Sequence, residues 1–241
     1  MTDRREQERI VAEYRRREAT LDAELYAPWN LAEDFMRAGR RRLAARLLRR
    51  AGTFPAPGKP VLEIGYGRIG WLGELLSWGL REEDLHGIEL DETRAGAARR
   101  ALPVADLRVG DAARLPWQEG TFQLVVASTV LTSILDPDLR RQVAAEIERT
   151  LAPGGALLWY DFRYDNPRNR QVRGISRREL AGLFPALSAE IRSATLLPPL
   201  SRRIAPRCLL LAQALETLPP LRSHLVAVLV KGAGAADPGN S

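Results

Sequence analysis

The stretch Val61-Leu-Glu-Ile-Gly-Tyr-Gly-Arg-Ile-Gly70 joins a short apolar run to three closely spaced glycines. The run predicts a buried strand, and the apolar residues of 71–76 then follow at helical spacing. Glycines between a strand and a helix permit a tight turn close to a ligand, and a helix N-terminus presents free N–H groups. Many nucleotide-binding folds share this arrangement, so by itself it names only a broad class.

Strands and helices alternate on the C-terminal side of this turn. Further strands are predicted at 84–90, 107–111, 122–128, 156–161, 189–197 and 225–230. Helices are predicted between them at 93–100, 139–151, 176–183 and 208–218. Because strands that alternate with helices over short connections build βαβ units, the pattern favours a parallel sheet that is covered on both faces.

The chain on the N-terminal side of the turn is polar and helical. Residues 3–27 and 31–51 carry apolar side chains at helical spacing, and the Gly/Pro-rich segment 52–60 breaks any helix. These features predict four segments: an N-terminal helical lid at 1–52, a main domain at 59–231, a helical insertion within it at 198–220, and a flexible tail at 232–241.

Acidic side chains stand at the ends of two predicted strands. Glu89 ends the second strand, 22 residues after Gly67, and Asp111 ends the third. A carboxylate at the first position can accept hydrogen bonds from two ribose hydroxyls, as in dinucleotide sites, and one at the second can bind an adenine edge. The turn Pro153-Gly-Gly155 precedes the fifth strand, and Rossmann dehydrogenases have no special need for it. Together these features sharpen the nucleotide-binding hypothesis.

Taken in order, the series VLEIGYGRIG, GIELD, GDAARLPW, FQLVVAS and LAPGGALLWYDF resembles the class I S-adenosylmethionine-dependent methyltransferases of the small-molecule, methyltransferase type 11-like kind. The motifs keep the family's order and spacing over residues 59–162. The resemblance implies a Rossmann-like α/β fold with a doubly wound, mostly parallel seven-stranded sheet. It also implies S-adenosyl-L-methionine as the cofactor and S-adenosyl-L-homocysteine as the product. A looser likeness of the flanks is to a bacterial subgroup associated with polysaccharide or natural-product pathways.

The resemblance implies a set of cofactor contacts. These are Glu63 and Gly65 beside the methionine amino group, Tyr66 in the same turn, Gly67 at a close backbone approach, Glu89 on the ribose, Leu90 against adenine, Asp111 and Ala112 on the adenine edge, Ser128 at the methionine end, and Tyr14 on a lid. Leu90 suits a core position almost as well. The family usually has its third glycine at the position of Ile69 rather than Gly70, and a small residue or cysteine at that of Tyr66. Both departures predict a narrower methionine end.

The fifth strand ends in the polar segment Tyr160-Asp-Phe-Arg-Tyr-Asp-Asn166, at the edge where ligands are expected. Asp161 is the candidate base, or orients an acceptor hydroxyl, and Arg163 is a candidate anchor for an anionic group. Tyr164 is a candidate to stack on, or hydrogen-bond to, a ring. The alternative is a polar loop in which Asp161 caps a turn. All three residues are therefore predicted catalytic residues.

The remaining polar side chains give weaker signals. His86 and His224 are predicted to be structural, because neither is expected at the carboxyl edge of the sheet. The spacing of cysteine, histidine and carboxylate residues suggests no metal site. Four arginines could attract a phosphate or carboxylate on the substrate, although solvated charge is the commoner explanation: Arg168, Arg173, Arg202 and Arg203.

Composition excludes several classes of protein. The 241 residues are 45% hydrophobic, which suits one domain with a full core and excludes a disordered or collagen-like chain. Cys208 is the only cysteine, so no intramolecular disulfide can form. No apolar segment approaches the roughly 20 residues that span a bilayer, and residues 1–9 do not resemble a secretory signal. A cytoplasmic protein is expected.

The leading hypothesis is a methyltransferase that acts on a hydroxyl, less favourably an amine, of a small and possibly anionic molecule such as a sugar or natural product. The net charge of +6, concentrated in the two flanks, keeps an RNA methyltransferase open, although nucleic acid is the weaker partner because no separate RNA-binding module is visible. A third hypothesis is a cofactor-binding, non-catalytic subunit. The leucine-rich helix at 208–218 could be an oligomer surface, a cap over the substrate, or core.

Overall fold

The computed structural model describes residues 2–20, 22–27, 29–166 and 169–233. The helices are α1 (Thr2–Thr20), α2 (Leu31–Arg50), α3 (Leu72–Ser77), α4 (Glu92–Ala101), α5 (Pro137–Thr150), α6 (Arg177–Leu183), α7 (Pro198–Ile204) and α8 (Leu209–Glu216). The strands are β1 (Val61–Ile64), β2 (Leu85–Glu89), β3 (Asp106–Val109), β4 (Phe122–Ser128), β5 (Leu151–Phe162), β6 (Leu187–Leu196) and β7 (Arg222–Lys231). A short 3-10 turn, Leu131–Ser133, follows β4.

The seven strands form one sheet in the order β3-β2-β1-β4-β5-β7-β6. The strands from β1 to β5 pair in parallel, whereas β7 pairs antiparallel to both β5 and β6. The expected mostly parallel, seven-stranded, Rossmann-like sheet is therefore confirmed. Because the strand order reverses at β1 and β4, the crevice outside their carboxyl ends is where such a sheet binds ligands.

The reversed direction of β7 has a consequence for this edge. In the β5–β7 pairing, Phe162 at the end of β5 lies opposite His224 near the start of β7. The beginning of β7 therefore shares an edge with the ends of β1, β2, β4 and β5. A side chain near the start of the last strand is thus as close to the ligand-binding edge as one at the end of β5.

Both faces of the sheet are covered by helices, and the sheet is buried between them. One apolar cluster joins the sheet to α5 and α6, and the other joins it to α2, α3 and α4. All four residues of β1 are buried. Local signals begin several helices: the side chain of Asp91 caps α4, that of Asp136 caps α5 ahead of Pro137, and that of Ser176 caps α6. This packing fixes the strand ends that build the site.

The predicted lid at 1–52 divides into two structurally different parts. Only α1 lies across the carboxyl edge of the sheet, where its side chains bond to the loops after β2, β3 and β4. Helix α2 packs on the sheet instead, with Ala44, Leu47 and Leu48 in the core. The apolar face of α2 covers β6 and β7, whereas three charged side chains from its first half line the same cleft as α1, namely Glu33, Arg37 and Arg40.

The region before β7 is helical, as expected, but contains two short helices, α7 and α8. Their partly buried side chains pack with the start of α2 in a third, smaller apolar cluster. Residues 234–241 of the predicted flexible tail lie outside the described residues. Among the helices that are described, none is both long and apolar enough to cross a membrane.

Candidate functional site

The turn after β1 is held by the carboxylate of Glu63. Glu63 is buried, and its two oxygens accept hydrogen bonds from the backbone N–H groups of Trp71 and Leu72, each at 2.9 Å. Gly70 has a φ of +55°, and a Cβ there would overlap with the Glu63 carboxylate and lie 2.7 Å from the carbonyl oxygen of Tyr66. The third glycine thus comes at 70 rather than 69 because the chain passes directly over this carboxylate. Burial raises the pKa of Glu63 to about 8.

Glu89 links this turn to the end of β2. Its Oε2 accepts the N–H of Gly67 at 2.8 Å, and its Oε1 accepts the N–H groups of Leu90 and Asp91 at 2.9 and 3.0 Å. The guanidinium of Arg94 lies 3.7 Å from Oε2. Backbone donors therefore fix the carboxylate beside the glycine turn, as the sequence motif predicts.

Tyr66 departs from its predicted role. Its side chain is fully buried in the core, where its hydroxyl donates to the carbonyl of Arg108 at 3.2 Å. The ring fills the space left by Gly87 in β2, since a Cβ at Gly87 would overlap with it. Burial raises the pKa of Tyr66 to about 12. The prediction that this ring narrows the methionine end is therefore wrong: the large residue is accommodated by a glycine in the neighbouring strand.

A narrow slot of about 80 Å³ lies at the ends of β2 and β3. The slot is lined by the predicted ribose contact Glu89, by the predicted adenine contacts Leu90, Asp111 and Ala112, and by apolar side chains of β1, β2 and α5. Asp111 accepts the backbone N–H of Ala113 at 2.8 Å and the side-chain amide of Gln7 at 2.7 Å. An N–H donor from α1 thus already contacts the carboxylate that the sequence assigns to an adenine amine.

A larger cleft of about 1030 Å³ continues from the slot over the glycine turn. It is lined by the remaining predicted contacts, Glu63, Gly65, Gly67, Ser128 and Tyr14. The hydroxyl of Tyr14 is 3.3 Å from the carbonyl oxygen of Thr129 and 3.1 Å from Oγ of Ser133, and Arg94 lies 4.5 Å from the centre of the Tyr14 ring. The predicted contacts therefore surround one continuous cleft whose roof is α1.

Helix α1 is attached to the rim of the cleft by charged side chains. Arg15 pairs with Asp91 at 2.8 Å, and Glu18 pairs with Arg94 at 3.3 Å. At the other end of the helix, Glu6 accepts the backbone N–H of Leu135 at 2.6 Å. These contacts tie both ends of α1 to the loops that follow β2 and β4.

A strained residue marks the end of β4. Thr129 has a φ of +57°, which is an outlier for a β-branched residue. Its N–H donates to the carbonyl of Tyr160 at 2.8 Å, and its own carbonyl lies beside the hydroxyl of Tyr14. Strain of this kind concentrates at functional sites. Sequence reasoning selected Ser128 and missed Thr129 and Arg94, because neither belongs to a recognisable motif.

The arrangement matches that of known proteins. The family model described as a methyltransferase domain matches residues 61–155. The structure of an S-adenosylmethionine-dependent methyltransferase from Mesorhizobium loti covers 81% of this chain and 100% of its own, with a TM-score of 0.59 and 16% identity. Residues 61–155 are thus similar in sequence to a methyltransferase domain. S-Adenosylmethionine is accordingly the cofactor that the glycine turn and the two acidic strand ends fit.

Two curated relatives are named as methyltransferases of small molecules. A phthiotriol/phenolphthiotriol dimycocerosates methyltransferase from Mycobacterium ulcerans is 36% identical over 135 residues, which cover 51% of this chain and 48% of that protein. A demethylmenaquinone methyltransferase from Mycolicibacterium vanbaalenii is 32% identical over 99 residues, covering 41% and 40%. The match therefore spans less than half of the length of each of these two relatives.

Asp161 does not line the cleft. Asp161 is fully buried, and it accepts hydrogen bonds from the hydroxyl and the backbone N–H of Thr132 in the 3-10 turn, the latter at 3.3 Å. Burial raises the pKa of this carboxyl group to about 7. Its prediction as a catalytic base is wrong for this structure. The alternative reading, a carboxyl group that caps a turn, describes its contacts.

Arg163 and Tyr164 also lie outside the cleft walls. The guanidinium of Arg163 is 4.4 Å from the centre of the Tyr164 ring and donates to the carbonyl of Pro219 at 3.2 Å. Tyr164 is half exposed. The structure therefore contradicts their placement at the substrate, because the chain turns outward after β5. Of the four arginines proposed to attract an anion, Arg168 lies outside the described residues.

His224 corrects a second sequence prediction. Because β7 is antiparallel, His224 stands at the carboxyl edge of the sheet, from which the sequence analysis excluded it. Its ring is 4.6 Å from that of Tyr160 and 4.1 Å from that of Phe162, and it borders a small cavity beside the main cleft. Burial, with the positive charge of Arg40, lowers the pKa of His224 to about 3, so the imidazole is neutral. The direction of the last strand was the signal that could have identified it.

Proposed function

We propose that this protein transfers the methyl group of S-adenosylmethionine to a hydroxyl group of a small molecule such as a sugar or natural product. The observation that carries the proposal is the convergence of three features on one cleft under α1: the glycine turn, Glu89 and Asp111. They come from the ends of β1, β2 and β3 and would bind different parts of one adenosyl ligand. A fold that only needed a tight turn would not require both carboxylates at this edge.

The residues fit the cofactor. Glu89 is positioned for the ribose hydroxyls, Asp111 for the adenine amine and Leu90 for a face of the adenine ring. Gly67 keeps the backbone close to the ligand, and Ser128 borders the methionine end. When bound, S-adenosylmethionine supplies the methyl group on a sulfonium. The protein's contribution is then mainly to align the acceptor with that methyl group and to exclude water.

The shape of the cleft favours a small acceptor over RNA. Its volume of about 1030 Å³ is at the upper end of the roughly 300–1,000 Å³ usual for ligand sites, which leaves room for an acceptor beside a cofactor. Helix α1 covers the opening, whereas an RNA strand needs an open, basic groove. The two curated relatives are named for phthiotriol dimycocerosates and for demethylmenaquinone, which are small molecules.

Calorimetric titration with S-adenosylhomocysteine tests the proposal. The wild type should bind it at one site, and Glu89→Ala should weaken binding at least tenfold, since hydrogen bonds to a charged group contribute about 1.5–3 kcal/mol. Glu92→Ala is the matched control, because Glu92 is an exposed carboxylate three residues further along the chain. If the wild type did not bind S-adenosylhomocysteine, or if both variants weakened binding equally, the proposal would fail.

A further inference from the structure

A small side cavity of about 140 Å³ adjoins the cleft between α2, the start of β7 and the start of α7. The side cavity shares Glu33, Arg37, Arg40 and Phe162 with the main cleft. It therefore opens at the end of the cleft that lies away from the adenine slot. None of the predicted cofactor contacts borders it. Its position is that of a subsite for the acceptor.

The charge of the side cavity is strongly positive. Three arginines border it, Arg37, Arg40 and Arg202, against one carboxylate, Glu33. Glu33 pairs with Arg37 at 3.6 Å, so it neutralises only one of the three guanidinium groups. The positive charge that remains is available to an anion, and the partly enclosed wall of the cavity screens it less than water would.

The guanidinium group of Arg40 lies against two aromatic rings, and one of its N–H donors lacks a hydrogen-bond acceptor. Its guanidinium lies 4.8 Å from the centre of the Trp71 ring and 5.1 Å from that of the Tyr160 ring. Its Nε is buried and has no hydrogen-bond partner among the described residues. A buried donor without a partner costs about 1–3 kcal/mol, more when it is charged. An oxyanion in the side cavity would offset the charge of this guanidinium group, which borders the cavity.

The wall of the side cavity carries backbone strain. Thr195 has a φ of +63° and interrupts the pairing of β6 with β7 between Ala194 and Leu196. This places the Thr195 hydroxyl 2.9 Å from the hydroxyl of Tyr160. Thr129 and Thr195 are the only residues other than glycine with a positive φ in the part of the chain that is described, and each borders one of the two adjoining cavities. Strain persists at binding sites because the surroundings impose it.

The imidazole of His224 is fixed in one tautomer. The hydroxyl of Ser223 donates to the carbonyl of Thr195 at 3.2 Å, so its oxygen accepts from Nδ1–H of His224 at 2.8 Å. Nε2 of this neutral ring then carries a lone pair and no proton. The side cavity therefore combines guanidinium donors for an anion with a neutral nitrogen that accepts a hydrogen bond from a hydroxyl group.

We propose that the side cavity binds a carboxylate or phosphate group of the methyl acceptor, with Arg40 as its main ligand and Arg202 as a second. This inference rests on the proposed function and narrows its acceptor to an acidic molecule. Guanidinium groups bind both oxyanions through paired N–H donors. Seated there, the acidic group anchors the acceptor at the end of the cleft away from the adenine slot, and the rest of the molecule extends past Phe162 into the main cleft.

The test is a titration of the S-adenosylhomocysteine-loaded protein at constant ionic strength with two probes, inorganic phosphate and 4-hydroxybenzoate. At least one probe should bind saturably, whereas neutral 4-hydroxybenzamide should not. Arg40→Gln should weaken the binding of the probe at least tenfold. Arg202→Gln, which changes an exposed side chain and leaves the core intact, should weaken it two- to fivefold. Arg46→Gln, on an exposed part of α2, is the control and should have no effect.

Each contrary outcome has a distinct meaning. Absence of saturable binding by both probes, or equal losses in Arg40→Gln and Arg46→Gln, would overturn the subsite. Arg40→Gln could instead weaken the binding of S-adenosylhomocysteine but not that of 5′-methylthioadenosine, which lacks the amino-acid carboxylate. Arg40 would then bind the carboxylate of the cofactor, and the subsite would again be overturned. Failure of the wild type to bind S-adenosylhomocysteine in the first titration would instead refute the proposed function.

Discussion

The two ends of the cleft, which we name the adenosine end and the acceptor end after the ligands proposed for them, are built from different parts of the chain. At the adenosine end, Glu89 and Asp111 end consecutive parallel strands, and their carboxylates are held by backbone N–H groups within two residues or from the glycine turn. At the acceptor end, Arg40, Thr195 and His224 come from α2, β6 and β7, far apart in the sequence. Local geometry therefore builds the first region, and long-range packing builds the second.

The largest expected effect concerns the glycine turn, where the local geometry is most demanding. Gly70→Ala should lower the free energy of unfolding by about 3 kcal/mol. The alanine Cβ would clash with the Glu63 carboxylate, and the alanine backbone would have to adopt a left-handed conformation. Urea unfolding measures the change, and calorimetry should show that binding of S-adenosylhomocysteine is lost.

Gly79→Ala is the matched control for this variant. Gly79 also has a positive φ, +96°, but a Cβ there would meet nothing within 4 Å. Gly79→Ala should therefore lower the free energy of unfolding by only about 1 kcal/mol and leave the binding of S-adenosylhomocysteine unchanged. Equal destabilisation by the two variants would mean that conformational strain, rather than contact with Glu63, governs the turn.

An intermediate effect is expected at Asp161, between the two regions. Burial raises the pKa of this group to about 7, whereas an unfolded aspartate has the ordinary value of 3.8. The folded protein then holds a proton that the unfolded chain has lost between about pH 4 and 7, so the free energy of unfolding falls as the pH rises through this window. Asp161→Asn removes this contribution.

Urea unfolding at pH 5 and pH 8 measures the contribution of the Asp161 carboxyl group to the free energy of unfolding. The stability of Asp161→Asn relative to the wild type should increase by about 2 kcal/mol over this interval, from roughly 1.4 kcal/mol for each pKa unit. Asp34→Asn, which changes an exposed carboxylate of α2, should show no such increase. If the stability of Asp161→Asn relative to the wild type did not change with pH, burial would not raise the pKa of Asp161.

The smallest effect concerns the roof of the adenosine end. Because the Gln7 amide donates to Asp111, it competes with an adenine amine for the same carboxylate. Gln7→Ala should therefore tighten the binding of S-adenosylhomocysteine by two- to fivefold, which corresponds to a net hydrogen bond of about 0.5–1 kcal/mol. Glu8→Ala, on an exposed position of α1, should have no effect. Weaker binding in Gln7→Ala would show that Gln7 assists the cofactor instead of competing with it.

The sequence predicted that the glycine turn, Glu89 and Asp111 lie at one edge of the sheet, because their signals are local. A strand followed by glycines, and a carboxylate at a strand end, specify a position at the sheet edge without knowledge of any other segment. The errors have structural causes as well. Tyr66 was misplaced because its ring is accommodated by Gly87 in another strand, and Asp161 because its burial depends on the turn that follows β4.

Alternating strands and helix caps were sufficient to predict the fold. The spacing of Glu63, Gly67, Glu89 and Asp111 was sufficient to predict that these residues lie at one edge of the sheet. These properties follow from short-range periodicity and backbone geometry, which a sequence states directly. Only the tertiary structure showed that α2 covers the sheet while α1 covers the cleft, and that the antiparallel β7 brings His224 to the ligand edge beside Arg40. Strand direction and helix placement depend on which apolar faces pack together, and that choice is made by the whole chain.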